Sequence, residues 1–527
     1  MRFVLKASDS EAFFYASNLT HRLQISKLVF FGGTFLFTRR VMGERNPRVN
    51  ASVLPKGAWR LNEMPKWEEE SAMFKAMMLA WVLIGMVACA SKPVDWAQVE
   101  SQLVSSSQSQ KFGALPILQG PTSPTETVFR VLHPKKDSYR YFIQGKTYQH
   151  WVDPRTQALK YHSDQVMDEF RIEVKGDQNP LKLYVLKSSG ELVDTREFSF
   201  LPAKQNNLKV VIASCMDDQF PEVQKIMWNH VWEKNPDALF LIGDNVYADA
   251  HLDVLTHKKI KPGDGEAYRA LITPKNLEGR YIQTRQDLLN FRMKKLIPTF
   301  SVWDDHDYGS NNGGEDFAYK SEVTKFFTQF FPVENLGKSF AEKGPGVSSV
   351  IRFSKVDVFL LDDRSFRTSQ THFGKEQSEW LFQNLNPKKL SVLVSGDQWF
   401  GGYHKFESFE GNQPEDFKNF LQKLKSKKAK VFFVSGDRHL TEIMKVAKKH
   451  TGFKTFEVTT SGIHANMYPG AFKRDPSPNQ LIGVDGEFNF STFTFHSGPS
   501  GKSVKSIEVE SQGKDKVLFR KTLKITR

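Results

Sequence analysis

The chain has 527 residues, 39% hydrophobic and 25% charged, and a formal net charge of +14. That length exceeds one simple domain, and the composition excludes a disordered or collagen-like chain. Only two cysteines are present, Cys89 and Cys215, so a disulfide-dense secreted scaffold is excluded as well.

Residues 1–72 show no clear hydrophobic periodicity. Glu68-Glu69-Glu70 stand shortly before Met73, and purine-rich glutamate codons suit a ribosome-binding site. Translation is therefore expected to start at Met73, with residues 1–72 an over-extended gene prediction or a disordered extension. Lys75 precedes an unbroken apolar run, Ala76 to Cys89, too short to span a bilayer comfortably and of the right length for a signal-peptide core. Its small residues before Cys89 resemble a lipobox, with Met86 in place of the usual leucine. Residues 73–89 are thus read as a lipoprotein signal peptide. Cys89 becomes the lipid anchor to a membrane, and the mature chain an exported, cell-envelope protein. Residues 1–88 hold 12 basic and 7 acidic side chains, so the remainder keeps +9.

Residues 90–125, rich in Ser, Gln, Pro and Gly, read as a linker. Residues 126–204 carry short alternating runs, such as Thr127–Leu132, Glu169–Val174 and Leu181–Leu186, separated by turn residues. That pattern predicts a small antiparallel β-sandwich. Residues 205–527 alternate apolar strands with amphipathic stretches, an α/β pattern.

The informative feature of this last part is how its strands end. Six apolar runs lead into Ser214-Cys215, Gly243-Asp244, Trp303-Asp304-Asp305-His306-Asp307, Asp362-Asp363-Arg364, Ser395-Gly396-Asp397-Gln398 and Gly436-Asp437-Arg438-His439. Ligands of open α/β sheets bind outside the carboxyl ends of the strands. One such aspartate is ordinarily a turn or cap residue; six together point to a site. Hydrolysis of a phosphate ester needs an activated water and neutralised phosphoryl oxygens, which two nearby cations supply. Cys215, Asp244, Tyr247, Asp305, Asp437 and His439 offer a suitable ligand set.

Gly243-Asp244-Asn245-Val246-Tyr247 is a GDxxY motif. Trp303 to Asp307 resembles the WDDHE/D signature, Gly436 to His439 resembles GDxH, and Leu361 to Arg367 resembles LDxRxxR. Phe373 to Leu381 contains the G-x-x-Q-x-x-W-L pattern. Over about residues 208–470 the chain therefore resembles the alkaline phosphatase D (PhoD-like) family of metallophosphoesterases. The resemblance implies a four-layer sandwich of two mixed β-sheets flanked by helices, behind the small β-sandwich. It implies hydrolysis of phosphodiesters and phosphomonoesters by a metal-bound hydroxide attacking in line with the leaving oxygen. Asp244 would bridge the two metals. Tyr247 as tyrosinate and Cys215 as thiolate would favour Fe(III), and Asp437 and His439 would complete the ligands. Asp305 would hold a second divalent cation (Ca, Zn, Mn or Fe(II)). His306 would contact phosphate and protonate the leaving alcohol, Asp307 would orient that imidazole, and Arg364 or Arg367 would clamp a phosphoryl oxygen. Asp304 is read as a cap, and His404 and His464 as pocket-lining or surface histidines. The expected partner is a phosphate-ester substrate. No stable nucleic-acid partner is expected, because no aromatic-and-basic stripe is evident, and the sequence leaves the oligomeric state open. Two alternatives remain: a nuclease or nucleotide phosphodiesterase on the same scaffold, and a non-catalytic cell-surface binding lipoprotein.

Overall fold

The computed structural model describes residues 112–203, 207–249, 272–337, 339–498 and 503–525, together with a few short strands outside these ranges. The signal-peptide reading of 73–89, the anchor Cys89 and most of the linker lie outside the described residues. Among the described residues no helix is long and apolar enough to cross a membrane. Residues 1–94 form a unit of their own, in which Arg2–Ser8, Glu11–Ser17, Ile25–Phe31 and Thr34–Arg39 follow one another as an antiparallel sheet.

In the main unit, two four-stranded antiparallel sheets come first. One has the order Ile117–Thr122, Glu126–Pro134, Gln165–Glu173, Arg155–Ala158; the other has Leu192–Phe198, Leu181–Lys187, Tyr139–Gln144, Gln149–Val152. Alternate residues of both face one core, in which Phe129, Phe170 and Phe198 meet Tyr141, Leu183 and Val185. This is the expected β-sandwich, with one difference. Its first strand, Ile117–Thr122, falls within the stretch read as linker, because a Pro/Gly-rich composition masked a fully buried edge strand. Arg196, wholly buried beside Asp194, donates from Nη1 to the Met293 carbonyl at 2.8 Å and so fastens the sandwich to the following domain.

The α/β domain contains two mixed sheets. The six-stranded sheet has the order Thr299–Val302, Ala238–Ile242, Asn207–Ala213, Phe490–Ser497, Val504–Gln512, Val517–Lys524, with its first three strands parallel. The eight-stranded sheet is built on parallel strands Val356–Leu360, Leu390–Val394 and Lys430–Ser435, followed by Thr455–Thr460. Both faces of these strands are covered, which explains why they read as continuous apolar runs rather than alternating ones. Between the sheets lie residues such as Phe240, Val358, Val394, Phe432 and Phe493. Outside the eight-stranded sheet, Phe359, Leu393 and Phe433 pack on the helices Gly374–Asn384 and Pro414–Lys427. Trp228 and Val231 of the helix Pro221–Glu233 belong to the core of the six-stranded side. Prolines at the first turns of Pro221–Glu233, Pro274–Asp287 and Pro414–Lys427 set the helix starts, where their missing N–H costs nothing. The result is the anticipated four-layer arrangement, and the carboxyl ends of Asn207–Ala213, Ala238–Ile242, Thr299–Val302, Val356–Leu360, Leu390–Val394 and Lys430–Ser435 converge.

Candidate metal centre

The backbone at those strand ends is unusual. Cys215, Asp244, Asp437 and His439 have φ of 57°, 51°, 56° and 50°, the left-handed region that side chains disfavour. Such strain persists only where the surroundings hold it, and it turns each side chain sharply out of the strand direction. Gly243 (φ 119°) precedes Asp244, and a Cβ there would lie 2.6 Å from Cβ of Asp304. A Cβ on Gly396 would come equally close to the same residue. These two glycines let three strand ends crowd around Asp304.

The side chains so delivered form two sets that share one member. Ligand atoms of Cys215, Asp244 and His439 lie within 4.8 Å of one another, and the Asp244 and Asp305 carboxylates come as close to each other, with a ring nitrogen of His306 equally near. The Cys215 sulfur is 3.4 Å from Asp244 Oδ2 and 3.1 Å from Ser461 Oγ. The Tyr247 hydroxyl reaches to 3.3 Å from His439 Nε2, and its ring lies 4.4 Å from that of His306. His439 Nδ1 is held by the Asn466 carbonyl, which leaves Nε2 as the ligand atom. Asp305 accepts backbone N–H groups on both oxygens, from His306 at 2.8 Å and Asn312 at 2.7 Å.

The electrostatics are those of ligands awaiting positive charge. Burial pushes the Asp244 carboxyl well above its usual range, and the neighbouring Cys215 adds to the effect. Burial does the same to the Cys215 thiol and the Tyr247 hydroxyl. Asp437 is pushed up to about 6 by burial and then by the charge of Asp305. Burial also opposes the charge of Asp305, but His306, Arg364 and the two backbone N–H groups outweigh it and hold the carboxylate low. For His306 burial works against the charged form, yet Asp249, Asp305 and Asp244 hold it well above the ordinary histidine value. Asp244 Oδ1 is buried without a hydrogen-bond partner. Such an atom is costly unless a cation satisfies it, so the residues fit a pair of metal ions sharing Asp244.

Two roles implied by the resemblance are corrected. His306 is oriented not by Asp307 but by Asp249, whose Oδ1 lies 2.6 Å from Nδ1. Asp307 turns the other way and accepts from the backbone N–H of Val246 at 2.8 Å and of Asp304 at 3.0 Å. It is a brace between two loops, as expected of a residue at the third position of a helix beginning at Asp305. Arg364 is not free to clamp a phosphoryl oxygen, because its guanidinium is already committed to carboxylates. It is 0% exposed, with Nε 2.7 Å from Asp304 and Nη1 2.8 Å from Glu407. Arg367 is similarly taken by Asp397 at 2.8 Å. Both guanidiniums neutralise the acidic loops behind the centre. Asp304 holds the N-cap position before Asp305, as read, and its carboxylate serves Arg364. His464 is neither pocket-lining nor exposed; it is buried, with Nε2 accepting from Trp228 at 3.0 Å. His404 is buried too, bonded to Gln398 at 2.8 Å.

Asp249 and Ser461 escaped the sequence reading. Asp249 had a signal, since it follows Tyr247 by two residues on the same loop. Ser461 had none: it reaches Cys215 and the His439 N–H from a different strand end, a tertiary contact. A third cluster, Asp363, His372 and Asp397, also brings ligand atoms together, but Arg367 and Arg364 already neutralise it.

Comparison with known proteins gives a family and a fold for this chain. The family model described as PhoD-like phosphatase matches residues 210–497, more than half of the chain. The curated protein Alkaline phosphatase D of Bacillus subtilis (strain 168) is 23% identical over 314 residues, covering 51% of this chain and 52% of that protein. The chain thus spans about half the length of that curated relative. A solved structure titled "Structure of PhoD" matches with a TM-score of 0.55 at 16% identity, over 78% of this chain and 92% of the other, a likeness of fold.

Proposed function

The chain belongs to the PhoD-like phosphatase family, and from that premise we propose that it is a metal-dependent phosphoesterase acting on phosphodiesters and phosphomonoesters. The observation that carries the reading is Asp244, whose carboxylate is common to two converging ligand sets. Cys215, Tyr247, Asp437 and His439 would hold the first cation, with Fe(III) favoured by the thiol and phenol donors. Asp305 would hold the second, a harder divalent ion such as Ca, Zn, Mn or Fe(II), and Asp244, common to both sets, would serve both. When bound, the pair supplies a water nucleophile at neutral pH and neutralises the phosphoryl oxygens.

The remaining work falls to side chains of this protein. His306, whose charged form Asp249 favours through Nδ1, would donate its Nε2 proton to the leaving oxygen. Asp249 fixes the ring by accepting from Nδ1 and supports the charged form. Arg364, wholly buried, is a positioning residue that holds Asp304 and hence the loop carrying Asp305 and His306. The cell-envelope location, with Cys89 as lipid anchor, is proposed on the sequence alone. A native N-terminus that mass spectrometry shows to be an acylated Cys89 would support it, and an unprocessed start at Met1 would end it.

The ferric tyrosinate is tested by the visible spectrum of protein starting after Cys89, beside Tyr247→Phe. A charge-transfer band lost in the variant supports iron at this position. A colourless enzyme containing two other metals removes iron while keeping the phosphoesterase. Metal-free protein that stays inactive after metal addition favours the binding-lipoprotein alternative instead.

A further inference from the structure

Four large hydrophobic side chains stand exposed among the described residues: Trp232, Phe406, Tyr468 and Val517. Two of them attach to the tripeptide Asp437-Arg438-His439. Tyr468, 52% exposed, lies nearly parallel to the His439 ring, with centroids 5.4 Å apart and planes 13° apart. Phe406, 47% exposed, lies under the Arg438 guanidinium, whose carbon is 4.5 Å from the ring centroid. Arg438 itself forms no carboxylate ion pair among the described residues, unlike Arg364 and Arg367. Its Nη1 is 3.3 Å from His404 Nδ1, and its buried Nε has no hydrogen-bond partner.

Tyr468 and Phe406 thus offer half-exposed rings on either side of the segment that carries Asp437 and His439. A phosphodiester carries two organic groups on one phosphoryl centre, the leaving group and the retained one. With the phosphoryl oxygens directed to the cations, the wall beside Asp437 and His439 is open to the retained group. That wall offers two aromatic faces and a planar cation, surfaces that favour flat, polarisable groups over alkyl chains. We propose that Tyr468 and the Phe406–Arg438 pair form a subsite for a flat aromatic group on the retained, non-leaving side of the ester, such as a nucleobase. The proposal rests on the phosphoesterase reading and adds a substrate class to it.

The test uses two diesters with the same leaving group, p-nitrophenyl thymidine 5′-phosphate and p-nitrophenyl methyl phosphate, on the metal-loaded protein. The readout is the ratio of their kcat/KM values. The wild type is expected to favour the thymidine ester. Tyr468→Ala and Phe406→Ala are each expected to lower the ratio about tenfold, the scale of one lost base–aromatic stack. Tyr468→Phe, which keeps the ring, is expected to keep the ratio. A wild type with no preference, or alanine variants that slow both esters equally, overturns the subsite and leaves the phosphoesterase standing. A metal-loaded wild type that cleaves neither ester overturns the phosphoesterase reading and the subsite with it.

Discussion

Changing Asp249 to Asn separates the acid role of His306 from every other feature of the centre. Asp249 Oδ1 lies 2.6 Å from His306 Nδ1, and the carboxylate is 1% exposed, so this is a charge-assisted bond out of water. An amide of the same shape still accepts the Nδ1–H but carries no charge. The difference between a charged and a neutral hydrogen bond is about 1–2 kcal/mol, hence about one unit in the His306 pKa. Bound cations lower that pKa in both proteins, so the shift between them is what is read. A general acid works only while protonated. Activity therefore falls as pH rises through its pKa, and Asp249→Asn moves this alkaline limb about one unit toward lower pH. The assay is kcat against pH on an alkyl phosphodiester, whose leaving oxygen needs a proton, and on a p-nitrophenyl ester, whose leaving group does not. The limb shifts on the first and not on the second. No shift on the alkyl ester, or an equal shift on both, would refute the assignment of His306 as acid and Asp249 as its orienting carboxylate.

Asp307→Ala, by contrast, should act on stability. It leaves the buried N–H groups of Val246 and Asp304 without their acceptor, at about 1–3 kcal/mol each; thermal unfolding should detect the loss, and an unchanged melting temperature contradicts the bracing role. His464 sets an acid limit. Burial pushes it down to about 4, whereas the unfolded chain protonates near 6.5. The unfolded state thus binds the extra proton between those values, so stability falls as pH drops from about 6.5 to about 4 and levels off below. The full loss is about 3 kcal/mol. Denaturant titrations across that range should show this slope in the wild type and a flatter one in His464→Gln.

The parts of the fold that were legible in the sequence are those fixed by local pattern. Strands buried on both faces appear as unbroken apolar runs, as in Ala238–Ile242, and each is followed by the polar residues it delivers. The candidate ligands Cys215, Asp244 and His439 could be singled out for the same reason, because a strand end is a sequence position. What the sequence hid is which neighbour each side chain faces. Asp307 and Asp249 are both carboxylates close to His306, and only the turn at Asp305–Tyr308 decides that the first faces the Val246 N–H and the second the imidazole. Arg364 likewise looks like a phosphate clamp in the chain. Burial against Asp304 and Glu407, the latter 43 residues away, turns it into a structural cation. The strand Ile117–Thr122 was hidden by its composition, since Pro and Gly are tolerated at a sheet edge.

The paired centre is tested most directly by counting metal ions per chain in the wild type and in Asp244→Asn. Because one carboxylate belongs to both ligand sets, the wild type should hold about two ions per chain, as a two-metal hydrolase does. The single substitution should deplete both together, with activity falling in proportion. An Asp244→Asn protein that keeps both ions, or a wild type that binds none when metals are supplied, would contradict the account.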